Sequence, residues 1–315
     1  MQAEAVESEL KPRGLVPAAH PWRGYFLIAA ATLCWGAAAT AAKAVFQGSL
    51  FAGAPAISPL VLSQIRTSVA VLFLIPFILL RSGPRVLRMP ARDLILCILT
   101  GTLGLAGSNF FYYWAIQKTS VAVAITVQYT APVWVLLAMA IMGRQRITPS
   151  RAGAVLLALI GTALTIGLFR AGQPLNAAGV AGAMMASFSF AFYNISGQRL
   201  VGRYPALSVM AYALLGAAVM WMVFNPPWRL VAAHYSARQW GFLLAFGFFA
   251  TLVPYVFYFN GLKYLDASRA VVTGCLEPVF AILFTFMFIG ESLDGLQVAG
   301  IVAVLAATVL VQRRA

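Results

Sequence analysis

The sequence predicts an all-α membrane protein: ten transmembrane helices in two inverted five-helix repeats. Three observations lead there. Of 315 residues, 62% are hydrophobic and only 10% charged, against about 45 to 50% and about 25% in soluble domains. The apolar residues gather into runs of about 20, the length an α-helix needs to cross the hydrocarbon core. These runs are apolar all round, whereas the strands of a membrane barrel alternate. The chain also repeats itself: an offset of 146 lays Phe111-Tyr112-Tyr113 on Phe257-Tyr258-Phe259, Ala124 on Ala270 and Pro132-Val133 on Pro278-Val279. One residue further, Gly143 falls on Gly290 and Gly153 on Gly300. Five spans per repeat is an odd number, so the second repeat enters from the opposite side and the pair is inverted, an architecture shared by many alternating-access carriers.

Taken in order, residues 1–23 mix acids, Pro and Gly and read as a short disordered tail on the cytoplasmic side. A signal peptide would carry an apolar core of only about 7 to 15 residues, and the first run here is longer and is followed by others. The expected spans are 24–45, 59–80, 94–116, 119–142 and 151–169 in the first repeat (24–169). The second repeat (175–312) has 175–198, 206–224, 239–262, 267–289 and 293–312. Each is an apolar run between charged or Pro/Gly-rich breaks. Gly101, Gly104 and Gly107 in the third span, with Gly179, Gly182 and Ala183 in the sixth, form small faces suited to close helix packing.

The charges set the orientation. With the N-terminus in the cytoplasm, sixteen of the 22 Lys and Arg face the cytoplasm, from Lys11 to Arg314. Only Lys118, Arg170, Arg229 and Arg238 face the other side, while Lys43 and Arg66 lie in or near spans. This asymmetry puts both termini in the cytoplasm. It also accounts for the net charge of +14 as a topology signal, without a nucleic-acid partner. Cys34, Cys97 and Cys275 stand singly within apolar runs and read as packing residues.

Several short stretches resemble one family. They are Cys34-Trp35-Gly36 in the first span, Tyr112-Tyr113-Trp114-Ala115-Ile116 in the third, Ala131-Pro132-Val133 in the fourth, and Glu277-Pro278-Val279 followed by Gly290-Glu291 in the ninth. At these spacings, over residues 24–312, the chain resembles the EamA family of the drug/metabolite transporter superfamily. The resemblance implies a bacterial inner-membrane carrier, often an exporter of amino acids or related metabolites, with a cavity between the repeats. The first repeat departs from the pattern, with Gly143-Arg144-Gln145 where a Gly-Glu pair is common.

Glu277 is the leading candidate for chemistry, because a carboxyl about ten residues into a span is costly unless paired, neutral or facing water. Pro278 beside it, and Pro132 in the fourth span, each free a carbonyl four residues earlier and predict helix kinks. Glu277 reads as a substrate-amine contact or proton-coupling group, or else as a structural hydrogen bond between helices. Arg66 could pair with it or hold a substrate carboxylate, or snorkel to the interface, as Lys43 is expected to. Tyr112, Trp114, Tyr255 and Tyr258 suit an aromatic-walled pocket, with an interfacial aromatic belt as the alternative; Trp35 is a lesser candidate for substrate contact, with an interhelical hydrogen bond as its alternative. Asn109, Gln128, Asn260 and Thr273 need partners in a dry core, and so do Tyr129 and Asn194.

Together these residues suggest a secondary transporter for a small polar or zwitterionic solute, amino acids foremost, with nucleosides and cationic drugs as alternatives and a non-transporting membrane protein as the remaining reading. The expected partners are the small-molecule substrate and the lipid bilayer, for a monomer or a homodimer. No Walker loop, HExxH, GxSxG or EF-hand pattern occurs, so the sequence points to no cofactor and no metal. An intramembrane enzyme would need a second buried catalytic group, yet only one well-buried acid is evident and both histidines, His20 and His234, lie outside the spans.

Overall fold

A computed structural model describes residues 20–46, 50–51, 55–118, 121–168, 176–289 and 294–311. Lys43 lies in a helix, but its side chain is outside the described residues, as are Gly290 and Glu291. We label the helices α1 (Pro21–Phe46), α2 (Pro59–Ser82), α3 (91–118), α4 (121–141) and α5 (Pro149–Thr165). They continue as α6 (Ala177–Val201), α7 (Ala206–Phe224), α8 (237–261), α9 (267–289) and α10 (Gly295–Leu310). Among the described residues, eight of these are long and apolar enough to cross a membrane; α5 and α10 are shorter apolar helices. The first helix starts at Pro21, three residues before the expected boundary, as suits proline's fixed φ in a first turn.

Local chemistry sets most of the starts. Ser58, Thr148, Asn176 and Asp266 each accept a hydrogen bond from a backbone N–H three residues on, opening α2, α5, α6 and α9. Ser236 with Gln239, and Asp294 with Gln297, form reciprocal capping boxes at α8 and α10. These caps satisfy donors that would otherwise be stranded where water thins out.

Four irregularities lie inside the spans. The third helix holds a π-helical stretch at Thr100–Ala106 and α8 holds one at Phe248–Leu252. The fourth helix breaks at Tyr129–Thr130, between Val121–Gln128 and Ala131–Ile141, and α9 breaks at Cys275, between Ala267–Gly274 and Leu276–Ile289. Proline explains both breaks. Pro132 and Pro278 offer no N–H to the carbonyls of Gln128 and Gly274, which are the last residues of their segments. The chain tightens there into i→i+3 bonds, Thr130 N–H to Val127 O (3.1 Å) and Cys275 N–H to Val272 O (3.1 Å).

Two close backbone approaches fix the packing. At Gly101 a side chain would drive into the carbonyl of Ala213 on α7. At Gly300 a Cβ would lie 2.7 Å from the carbonyl oxygen of Gly161, so α5 and α10 meet backbone to backbone. Trp221, Tyr258 and Phe259 are among the largest fully buried side chains, while Phe26, Leu72, Leu80, Ile141, Val223 and Met287 face outward. That apolar outside suits a lipid solvent.

Candidate functional site

The two helix breaks meet at the centre. Glu277 stands in the first turn of the second segment of α9, ten residues from its start. At about 1.5 Å per residue this is roughly 15 Å in, half of an about 30 Å hydrocarbon core. The hydroxyl of Tyr129, at the break of α4, donates to Glu277 Oε2 at 2.8 Å. Glu277 itself is only partly buried.

Arg66, two turns into α2, donates from Nε to Thr251 Oγ1 at 2.9 Å and lies over the Phe246 ring, with Cζ 5.9 Å from its centroid. Both residues belong to α8, and Thr251 sits in its π-helical stretch. Tyr255 and Glu277 lie within reach of the guanidinium charge. Arg66 is therefore turned inward, not snorkelled to the interface.

An aromatic wall closes the space. Trp35 packs against Tyr255 and Tyr258, with centroids 5.2 and 5.3 Å away, and Tyr193 of α6 stands 5.8 Å from Tyr258. The Tyr258 hydroxyl donates to Asn194 Oδ1, while the Asn194 amide donates to the Phe190 carbonyl at 2.8 Å. Two polar atoms of this wall are buried without a partner: the Trp35 indole N–H and the Tyr193 hydroxyl. Unpaired polar groups at such depth are costly, which marks them as positions a bound polar solute would satisfy. Tyr112 packs against Tyr113 and feels the Glu277 charge.

The other expected residues are occupied locally. Gln128 donates to Ser108 Oγ at 2.8 Å, tying α4 to α3. Thr273 and Asn260 bond the carbonyls of Arg269 (2.7 Å) and Val256 (2.8 Å) four residues back in their own helices. Trp114 packs on Gly182 of α6, filling the space a side chain there would need. Asn109 is half-buried in α3. Sequence reading overlooked Tyr193, Phe246 and Thr251. The available signal for Tyr193 was the i, i+3, i+4 spacing of Phe190, Tyr193 and Asn194 on one face of α6.

Among the described residues no group of three His, Cys, Asp or Glu could hold a metal ion. The arrangement can instead bind. It offers one carboxyl, one guanidinium, two unpaired donors and a wall of rings, contributed by α1, α2, α4, α6, α8 and α9.

Comparison with known proteins agrees with a carrier. The threonine/homoserine exporter RhtA of Salmonella typhimurium is 28% identical over 273 residues, covering 86% of this chain and 84% of that protein. RhtA of Escherichia coli K12 is 28% identical over 286 residues, 90% and 88% of the two chains. An uncharacterized transporter of Archaeoglobus fulgidus is 25% identical over 92% of this chain and 99% of its own. A solved crystal structure, 21% identical, superposes with a TM-score of 0.72 over 92% of this chain and 96% of that one, which speaks to the fold alone. The model of the EamA-like transporter family matches twice, at residues 22–167 and 177–313. This chain belongs to the EamA-like transporter family.

Proposed function

We propose that this chain is a bacterial inner-membrane secondary transporter that exports amino acids or related small metabolites by alternating access. Its ten spans form two inverted repeats, 24–169 and 175–312, with both termini in the cytoplasm. The observation that carries the reading is the meeting of Tyr129 and Glu277 at the two proline breaks, one from each half of the chain. The similarity to exporters of threonine and homoserine supports the substrate class. Glu277 faces the substrate amine and Arg66 its carboxylate, while the Trp35 N–H and the Tyr193 hydroxyl supply hydrogen bonds to polar side-chain atoms. Tyr112, Tyr255 and Tyr258 shape the wall. Gln128, Asn109, Asn260, Thr273 and Trp114 hold the helices that carry it. Rocking of the halves about this centre exposes it to each side in turn.

The test is counterflow into liposomes holding the purified protein, with labelled threonine, homoserine and aromatic amino acids. Saturable uptake of one class, absent from empty liposomes and lost in Glu277→Gln, is expected. No uptake across the panel would overturn the amino-acid reading and turn attention to nucleosides and cationic drugs.

A further inference from the structure

A second site lies away from the centre, where the start of α3 meets the end of α6. A cleft of about 220 Å³ opens there, lined by Arg92, Asp93, Ile95, Leu96, Leu99 and Arg199. Its two ends differ in chemistry. At one end stand the Arg92 and Arg199 guanidinium groups; Asp93 beside them is already engaged, accepting from the Tyr204 hydroxyl at 2.6 Å and lying 3.7 Å from Arg203 Nη1. The Arg199 Nε–H is buried and has no hydrogen-bond partner. At the other end Ile95 and Leu99 are 58% and 37% exposed, one helical turn apart and so on one face of α3. These apolar side chains run from the arginines along the helix, into the stretch that meets the acyl chains.

We propose that this cleft binds the headgroup of an anionic phospholipid, with the phosphate on Arg92 and Arg199 and an acyl chain along Ile95, Leu96 and Leu99. The charge balance favours an anion: Arg92 and Arg199 line the cleft, and its one carboxylate, Asp93, is already paired with Arg203. Guanidinium matches a phosphate through paired N–H donors, and a phosphate oxygen would satisfy the orphaned Arg199 Nε–H. The apolar end distinguishes a lipid from free phosphate, since a soluble anion gains nothing from three aliphatic side chains. Both helix ends lie on the Arg-rich side of the chain, which the proposed orientation places at the cytoplasmic leaflet, where anionic lipids collect at basic pockets between helices. The site does not depend on what the centre transports.

The experiment is native mass spectrometry and thermal unfolding of the detergent-purified full chain with added phosphatidylglycerol, phosphatidylcholine or inorganic phosphate. Phosphatidylglycerol is expected to bind and raise the unfolding temperature, and the other two to do neither. Arg92→Gln with Arg199→Gln should weaken phosphatidylglycerol binding about twenty-five-fold, at about fivefold per basic residue. Arg144→Gln with Arg146→Gln, a pair of equal charge on the exposed α4–α5 loop, should leave it unchanged. Arg92 is exposed, so Arg92→Gln alone tests the site in a folded protein if the double variant fails to fold. Equal stabilisation by phosphatidylcholine, competition by inorganic phosphate at similar concentration, or an equal loss in the Arg144/Arg146 pair would overturn the proposal.

Discussion

Whether Glu277 works as a charge is decided by the bond it receives from Tyr129. In measured cycles a neutral hydrogen bond between membrane helices is worth about 0.6 kcal/mol on average, because the unfolded chain in the membrane also finds partners. A bond to a charged group is worth about 1.5 to 3 kcal/mol. Burial works against the charged form of Glu277, while the phenol donor at 2.8 Å and the nearby Arg66 guanidinium work for it. Glu277→Gln keeps the shape and leaves an acceptor for the phenol, so it removes only the contribution of charge. The difference between the two kinds of bond then sets the expected coupling between Tyr129→Phe and Glu277→Gln at about 1 to 2 kcal/mol.

The assay is equilibrium unfolding in mixed detergent micelles of four proteins: the wild type, each single variant and the double. Tyr129→Phe should cost the wild type clearly more than it costs the Glu277→Gln protein. Additivity within about 0.5 kcal/mol would refute the reasoning. It would mean that Glu277 is a neutral, structural hydrogen-bond partner, and the substrate amine would need another anchor.

Other consequences follow from the same geometry. Trp35→Phe keeps a ring but deletes the unpartnered indole N–H, so stability should change little; if that donor meets substrate, apparent affinity in counterflow should fall about fivefold to tenfold. Gly300→Ala forces a methyl group to within 2.7 Å of the Gly161 carbonyl oxygen, whereas Gly241 faces open space; thermal unfolding should show Gly300→Ala destabilised by about 1 to 3 kcal/mol and Gly241→Ala unharmed. Outside the spans, the bond Tyr204 donates to Asp93 holds its phenol above the usual 10.0. The stabilisation from that shift is complete below pH 10 and is lost as pH rises through the folded value, so unfolding temperature should fall more steeply above pH 10 in the wild type than in Tyr204→Phe. A reporter enzyme active only outside the cytoplasm, fused after Ala315, should stay inactive, and the same fusion in the loop after Phe224 should be active.

Helix existence was legible because an apolar run must be paired with itself in lipid. The sites of the two breaks were legible too, because proline lacks an N–H whatever surrounds it. Pro132 and Pro278 accordingly end the preceding segments at Gln128 and Gly274. The π-helical stretches were not, since a residue or two of extra winding leaves apolar composition unchanged. Side-chain destinations were legible only in part. Tyr255 and Tyr258 do stand in one aromatic wall, to which Trp35 adds its ring, and Arg66 bonds Thr251 inside the bundle. Thr273 and Asn260 instead bond carbonyls four residues back, a choice open to a polar residue in any helix. Trp114 depends on a glycine 68 residues away in sequence, Gly182, and no local pattern announces that pairing.

The matched irregularities also show where duplication stops. With the 146-residue offset, Tyr129 corresponds to Cys275 and Ala131 to Glu277. The two breaks thus share a backbone device but carry different side chains, and the centre holds one carboxyl, supplied by the second half and held by a phenol from the first. In the proposed rocking, the halves cannot move apart at the centre without stretching that bond. If it carries charge, opening costs about 1.5 to 3 kcal/mol unless another donor takes the phenol's place. A substrate ammonium held at Glu277 is such a donor, with three N–H groups and a full charge. Empty carriers should therefore reorient more slowly than loaded ones, by roughly tenfold or more. Exchange of labelled for unlabelled substrate should accordingly run faster than net efflux, and Tyr129→Phe, which removes the bond to be broken, should bring the two rates together. Equal rates in the wild type would show that the bond does not restrain the empty carrier.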